Sequence, residues 1–236
     1  MTRSVVVRCY QDGLGCIPES HSLVAIDVIR ATTTAVTAVV MGRRCYPAAT
    51  LQAANELAVR LPEALLVGEV GGIMPEGFHV NNSPAELAGR TDTRPIILLS
   101  SSGTQLIDLI RKTNPANRGY VACFRNWNAT IRALTDEGRS AIVIGAGTRG
   151  QFREEDQMCA AWIAAGLTDK GYVPGDSSTG ELIGKWRCAQ PADFLISDSV
   201  SYLKRSKQIR DLEFILSHFD DIDSAFKIVD DQIVEQ

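Results

Sequence analysis

Three segments of the chain repeat one pattern: a short unbroken apolar run, a turn rich in Gly, Ser or Thr, then apolar residues at helical spacing. LVAIDVI leads into ATTTAVTAVVMG, PIILLSSSG into TQLIDLIRK, and AIVIGAGTRG into FREEDQMCAAWIAAGL. Short apolar runs bounded by turn residues read as buried strands, and i, i+3, i+4 spacing reads as helix. SVVVRCY, ALLVGEVGG and YVACFRN add further strands. Leu51, Ala54, Leu57, Ala58 and Leu61 make one face of a helix after CYPAAT. Ile209, Leu212, Ile215 and Leu216 do the same between Lys207 and His218. Lys170 to Asp193, rich in Gly, Pro, Asp and Ser, reads as a loop or small excursion. Alternating strands and helices predict a layered α/β/α fold on a largely parallel or mixed sheet. No strict repeat or low-complexity tract interrupts the pattern. A length of 236 residues suits one domain over 1–236, or two intimately packed halves at about 1–115 and 116–236.

Composition narrows the function classes. Hydrophobic content of 45% with 22% charged residues is that of an ordinary globular protein. No apolar run approaches the about 20 residues that span a bilayer, and MTRSVVVRCYQDG lacks a small-residue cleavage site, so no secretory signal is expected. A net charge of −4, with no basic stripe and 6% aromatics, argues against a nucleic-acid surface. Cys9, Cys16, Cys45, Cys123, Cys159 and Cys188 form no C-x-x-C pair and no zinc-like group with His21, His79 and His218. They read as free thiols in a reducing compartment, which places the chain in the cytoplasm.

In open α/β sheets ligands bind beyond the carboxyl ends of the strands, and each unusual polar cluster falls at such a place. In IDVIRATTTAV, Asp27 ends a strand and can ligate Mg²⁺ or attack phosphorus. Arg30 can grip two phosphate oxygens. Thr32, Thr33 and Thr34 open a helix whose free N–H groups favour an anion, though a plain N-cap accounts for them as well. In GEVGGIMPEGFHVNNSP, Glu69 stands at a strand end before paired glycines, while Asn82 and Ser83 suit an anion or an Asx-type turn. Ser102, Gly103 and Thr104 of SSSGT suit an oxyanion cradle or a capping turn. Asn126 and Asn128 follow another strand and serve a ligand or a turn equally.

GAGTRG, 145–150, matches the G-x-G-x-x-G dinucleotide fingerprint. Against that reading, the helix behind it opens with Glu154, Glu155 and Asp156, which would repel a pyrophosphate. Those acids suit Mg²⁺, or simply a helix N-terminus. There is no Walker loop and no evident nucleophile–histidine pair. The inventory suits a divalent cation with a small polyanion, and phosphoryl transfer by positioning and charge neutralisation needs no such pair.

In order along the chain, D-V-I-R-A-T-T-T, G-E-V-G-G, N-S-P, S-G-T, A-G-T-R-G and E-D resemble the 2-phosphosulfolactate phosphatase family, Mg²⁺-dependent enzymes named for a step in coenzyme M biosynthesis. The similarity runs from about Val24 to Gly166, and the last seventy residues match loosely. The resemblance implies hydrolysis of 2-phosphosulfolactate, a phosphate monoester of a small acid, to sulfolactate and phosphate. It places Asp27, Glu69 and Asp156 (or Glu155) around the metal and Arg30 with Thr32–Thr34 on the phosphate. Asn82, Ser83, Ser102, Gly103 and Thr104 would orient the acid end, with Asn128 and Gly147 as further contacts. Some positions depart from the family pattern. Val70 stands where an arginine is usual, His79 and Asn81 replace an aspartate and a glycine, Ser102 replaces an asparagine, and Gly145 replaces a cysteine.

Attack by metal-bound water and a phospho-enzyme on Asp27 both remain open, while Ile29 breaks the D-x-D pattern of haloacid-dehalogenase-like enzymes. Two other readings stand beside this one: a non-catalytic anion-binding homologue, and a dinucleotide-dependent oxidoreductase using GAGTRG. The partner expected is a small phosphorylated acid, with neither nucleic acid nor membrane, and the sequence leaves room for a homodimer.

Overall fold

A computed structural model describes residues 2–10, 17–113, 118–148 and 151–236. Its strands are β1 (Ser4–Cys9), β2 (Ser22–Ile26), β3 (Cys45–Ala48), β4 (Leu65–Gly68), β5 (Ile96–Leu99), β6 (Gly119–Ala122), β7 (Ala141–Gly145), β8 (Val173–Pro174), β9 (Phe226–Val229) and β10 (Gln232–Glu235). They form one sheet in the order β4-β5-β3-β10-β9-β6-β2-β7-β1-β8. The helices are α1 (Ala31–Val40), α2 (Leu51–Arg60), α3 (Pro84–Ala88), α4 (Gly103–Thr113), α5 (Trp127–Glu137), α6 (Glu154–Asp169), α7 (Ser177–Trp186), α8 (Asp198–Arg205) and α9 (Ile209–Ser217). The layered α/β architecture read from the alternating pattern is the one observed.

Two parallel blocks make up the sheet: β4, β5 and β3 on one side, and β6, β2, β7, β1 and β8 on the other. The β9–β10 hairpin joins them through antiparallel pairings with β6 and β3. Alternation along each strand divides its side chains between two cores. Leu23 and Ala25 of β2, Ile96 and Leu98 of β5 and Ile142 and Ile144 of β7 enter a central core with α1 and α4. Val24, Ile26 and Val143 face an outer core with α5, α6 and the C-terminal helices, and Ile97 and Leu99 face a smaller one under α2. Strands buried on both faces lose polar alternation, which is why they appear as unbroken apolar runs.

The structure corrects the chain trace in two places. Lys170–Asp193 is not a plain loop: β8 adds to the sheet edge and α7 follows it. Asp176 caps α7 by accepting the Thr179 N–H at 2.8 Å, and Ile183 and Trp186 are buried beneath it. The turn expected at N-S-P is the start of α3, with Ser83 as N-cap and Pro84 in the first turn. The C-terminal hairpin turns at Asp230, whose φ is +51°. No helix among the described residues is long and apolar enough to cross a membrane.

Candidate active site

Segments leaving the carboxyl ends of β2, β4, β5 and β7 line one cavity of about 500 Å³, within the usual size of small-molecule sites. Asp27, Ile29 and Arg30 come from the first, Glu69, Gly71 and Gly72 from the second, Ser101, Ser102 and Gln105 from the third, and Thr148 from the fourth.

The β2–α1 turn is built by its own side chains. Thr32 Oγ1 donates to the Asp27 carbonyl at 2.8 Å and accepts the Asp27 N–H at 3.0 Å. Thr33 Oγ1 donates to the Val28 carbonyl at 2.8 Å. The Ala31 N–H donates to Asp27 Oδ1 at 3.2 Å, so the start of α1 is capped by Asp27 itself. Thr32, Thr33 and Thr34 are fully buried and do not line the cavity; Thr34 Oγ1 has no partner among the described residues. The threonines therefore shape the turn that presents Asp27 and Arg30, and neither cap α1 nor line the cavity.

Arg30 is 4% exposed, and its guanidinium pairs with Asp211 Oδ2 at 2.5 Å. Asp211 Oδ1 accepts from Ser83 Oγ at 2.5 Å and from the Ala85 N–H at 3.2 Å. Ser83 thus serves α3 and Asp211 rather than the cavity. Asn82, one residue earlier, does line it, and its buried Oδ1 has no partner among the described residues. Sequence reading missed Asp211, whose only signal was a carboxylate on the buried side of an amphipathic helix.

Glu69 is held by a tight hairpin. Val70 and Ile73 exchange backbone bonds across Gly71 and Gly72, both at positive φ (+62° and +87°), as a two-residue type I′ turn requires. The carboxylate then accepts the Gly72 N–H at 2.6 Å, the Ser101 N–H at 2.8 Å and the Ser101 hydroxyl at 2.9 Å. Gly103 is small of necessity, since a Cβ there would collide with Asp27 Oδ2 and lie 2.6 Å from Ala31 Cβ. Thr104 is spent on Ser100, exchanging bonds of 2.9–3.0 Å with it, and caps the β5–α4 turn.

Behind the cavity wall lie Glu155 and Asp156, both buried. Asp156 Oδ1 accepts the Val28 N–H at 2.8 Å and Oδ2 the Gly147 N–H at 3.4 Å. Burial, with Glu155 and Asp27 nearby, pushes the Asp156 carboxyl well up. Glu155 accepts the Ser197 hydroxyl, and burial raises it too. Burial is likewise the main cause that pushes Asp27 up to about 7, with Glu69 and Glu155 adding to it. Neither Glu155 nor Asp156 reaches the cavity lining. Among the described residues no three His, Cys, Asp or Glu side chains gather as a ready ligand group. Asp27 and Glu69 are the carboxylates at the turn end of the cavity. Such a pair suits Mg²⁺, which keeps several waters and takes one or two carboxylates beside substrate phosphate.

Asn128 sits apart from these residues: its amide donates to Asp220 at 3.2 Å, and Asn126 is buried in the turn before α5. Gly147 adopts a positive φ of +63° beside Asp156. In the G-x-G-x-x-G run, the Phe152 ring covers Gly145; Arg149 and Gly150, like Cys16, lie outside the described residues. The far wall of the cavity comes from a segment not read as a helix at all: Asp198, Ser199, Tyr202 and Arg205 of α8, together with Arg153 before α6. Its sequence signal was a Ser197 cap followed by Val200 and Leu203, three apart and both buried.

A family model described as 2-phosphosulpholactate phosphatase matches residues 15–235. The chain belongs to this family. Curated members similar to it include the probable 2-phosphosulfolactate phosphatase of Pseudothermotoga lettingae, 36% identical over 65% of this chain and 66% of the relative. The protein of the same name from Carboxydothermus hydrogenoformans is 33% identical over 66% of this chain and 64% of the relative. That from Symbiobacterium thermophilum is 37% identical over 59% and 60%. The chain thus spans less than two thirds of the length of the curated relatives it matches. Departures from the family pattern fall outside the turn that holds Asp27 and Arg30. Val70 is half-exposed beside Ile73 on a neighbouring surface, and His79 Nδ1 accepts the Leu66 N–H at 2.9 Å.

Proposed function

We propose that this chain is a Mg²⁺-dependent phosphatase acting on the phosphate monoester of a small sulfonated or carboxylated hydroxy acid. In this reading 2-phosphosulfolactate is hydrolysed to sulfolactate and phosphate, the step named for coenzyme M formation. The observation that carries the reading is the meeting of Asp27, Arg30 and Glu69 on one cavity in a member of this family. The names of the relatives point the same way. Free thiols at Cys45, Cys123, Cys159 and Cys188 support a reducing, cytoplasmic setting.

Each residue has a task that follows from its surroundings. Arg30 spends one nitrogen on Asp211 and has the rest of its fork for phosphate oxygens. Because Asp211 fixes the guanidinium in advance, little reorganisation is needed as charge builds on those oxygens. Without metal, burial pushes the Asp27 carboxyl up to about 7, and a divalent cation held beside Glu69 would keep it ionised at neutral pH. Ser102 and Asn82 offer further polar contacts around the bound group. Mg²⁺, held by Asp27 and Glu69, would neutralise phosphate charge.

The test is phosphate release from a panel of phosphorylated hydroxy acids, 2-phosphosulfolactate among them, with Mg²⁺ and with EDTA. Wild type should turn over with Mg²⁺ alone, and Asp27→Asn should be inactive. Full activity in Asp27→Asn would remove the proposed centre, and tight ligand binding without turnover would make the protein an anion-binding homologue.

A further inference from the structure

We propose that the α8 end of the cavity is the seat of a second anionic group on the substrate, a sulfonate or carboxylate held by Arg153 and Arg205. The inference rests on the phosphatase reading for the other end of the same molecule.

The two ends of the cavity differ in charge. At the turn end stand Asp27, Glu69 and Arg30, and the arginine is already matched by Asp211. That end carries surplus negative charge and admits a phosphate only together with a cation. At the α8 end stand Arg153, Arg205 and Asp198. Only Arg153 is paired with Asp198, at 2.9 Å, and Asp198 is largely exposed. Arg205 is exposed and makes no ion pair among the described residues. This end carries surplus positive charge and can take an anion without help.

Arg153 has the features of a built site rather than a surface cation. It is 9% exposed, and one nitrogen donates to Gln151 Oε1 at 2.6 Å and to Asp198. Its buried Nε has no acceptor among the described residues, although a guanidinium has five N–H groups to satisfy. The wall that carries Arg205 is equally fixed. Asp198, Ser199, Tyr202 and Arg205 are spaced to share a helix face, while Val200 and Leu203 anchor the opposite one in the outer core. Ser197 caps α8 through the Ser199 N–H and donates to Glu155, and the Tyr202 hydroxyl donates to the Gly72 carbonyl at 2.6 Å. Glu155 therefore braces the anion-facing wall, and the hairpin that holds Glu69 is tied to the same helix.

The test is calorimetric titration of sulfolactate and of inorganic phosphate, each with Mg²⁺, into wild type, Arg205→Ala and Arg205→Lys. Arg205 is exposed, so the variants should fold. Loss of one charge-assisted contact should weaken sulfolactate binding by about ten- to a hundredfold in Arg205→Ala, with partial recovery in Arg205→Lys and less than about a twofold change for phosphate. Unchanged sulfolactate binding, an equal loss for both ligands, or no sulfolactate binding by wild type would overturn the assignment. Arg205-dependent sulfolactate binding without phosphate release from 2-phosphosulfolactate would overturn only the phosphatase reading.

Discussion

Asp27 has one oxygen on the Ala31 N–H, sits 8% exposed, and is pushed up to about 7 chiefly by burial. The folded protein therefore holds that proton more tightly than the unfolded chain, where the ordinary value is 3.8. The contribution of Asp27 to stability is whole below about pH 4 and is lost as pH rises towards about 7. At about 1.4 kcal/mol per tenfold in proton affinity, the loss is on the order of 4 kcal/mol. Asp27→Asn keeps the acceptor for Ala31 and cannot ionise. It should unfold at higher urea than wild type at pH 8 without metal, the gap closing towards pH 4, while phosphate release disappears. An unchanged gap across that range would mean that Asp27 ionises freely in the fold. Asp211 stabilises the fold through its partners. Asp211→Ala strips the partner from a buried Arg30 and the acceptor from Ser83 and Ala85, so it should cost about 3–5 kcal/mol in denaturant unfolding and lower kcat/KM.

Among elements, α4 lines the site with Gln105 and packs against Asp27 and Ala31 through Gly103. Gly103→Ala drives a Cβ against Asp27 and Ala31, the residues that open α1. Overpacking of this kind costs about 1–3 kcal/mol, and phosphate release should fall by far more than the stability loss accounts for. Gly180→Ala, inside α7 with nothing within 4 Å, is the matched control. It should raise stability by about 0.5–1 kcal/mol and leave activity alone. The elements legible in the sequence were those whose burial leaves a periodic or continuous apolar trace, as in β2, β5, β7, α1 and α6. The others rest on local chemistry that composition hides. β3 is four residues with Pro47 inside it, α7 carries two glycines and depends on the Asp176 cap, and β9 and β10 meet at an Asp-Asp turn. Of the site residues read from motifs, Asp27, Arg30, Glu69, Asn82 and Ser102 reach the cavity. Asp211, Arg153 and Arg205 were not legible, because the Arg30–Asp211 contact spans 181 positions and the α8 wall comes from a segment with no motif of its own.

At the scale of the molecule, the cavity depends on two blocks of sheet that do not pair directly. Asp27 follows a strand of the larger block, and Glu69 and Ser102 follow strands of the smaller one. The β9–β10 hairpin bridges the blocks, and Phe226 and Ile233 place it in the same central core as Leu23, Val67, Leu98, Val36 and Leu106. Each block keeps a second core of its own, with α5 and α6 on the larger side and under α2 on the smaller, but neither can open without exposing the central core it shares with the other block, α1 and α4. Unfolding should therefore be one cooperative transition in calorimetry. Phe226→Ala empties a fully buried ring position and should cost about 3–5 kcal/mol. The decisive reading is the shape of the melt: the single transition should move down in temperature and stay single, with sulfolactate binding lost in the same step. Two separated transitions in Phe226→Ala, one of them insensitive to ligand, would show that the blocks are independent units and that the hairpin only tethers them.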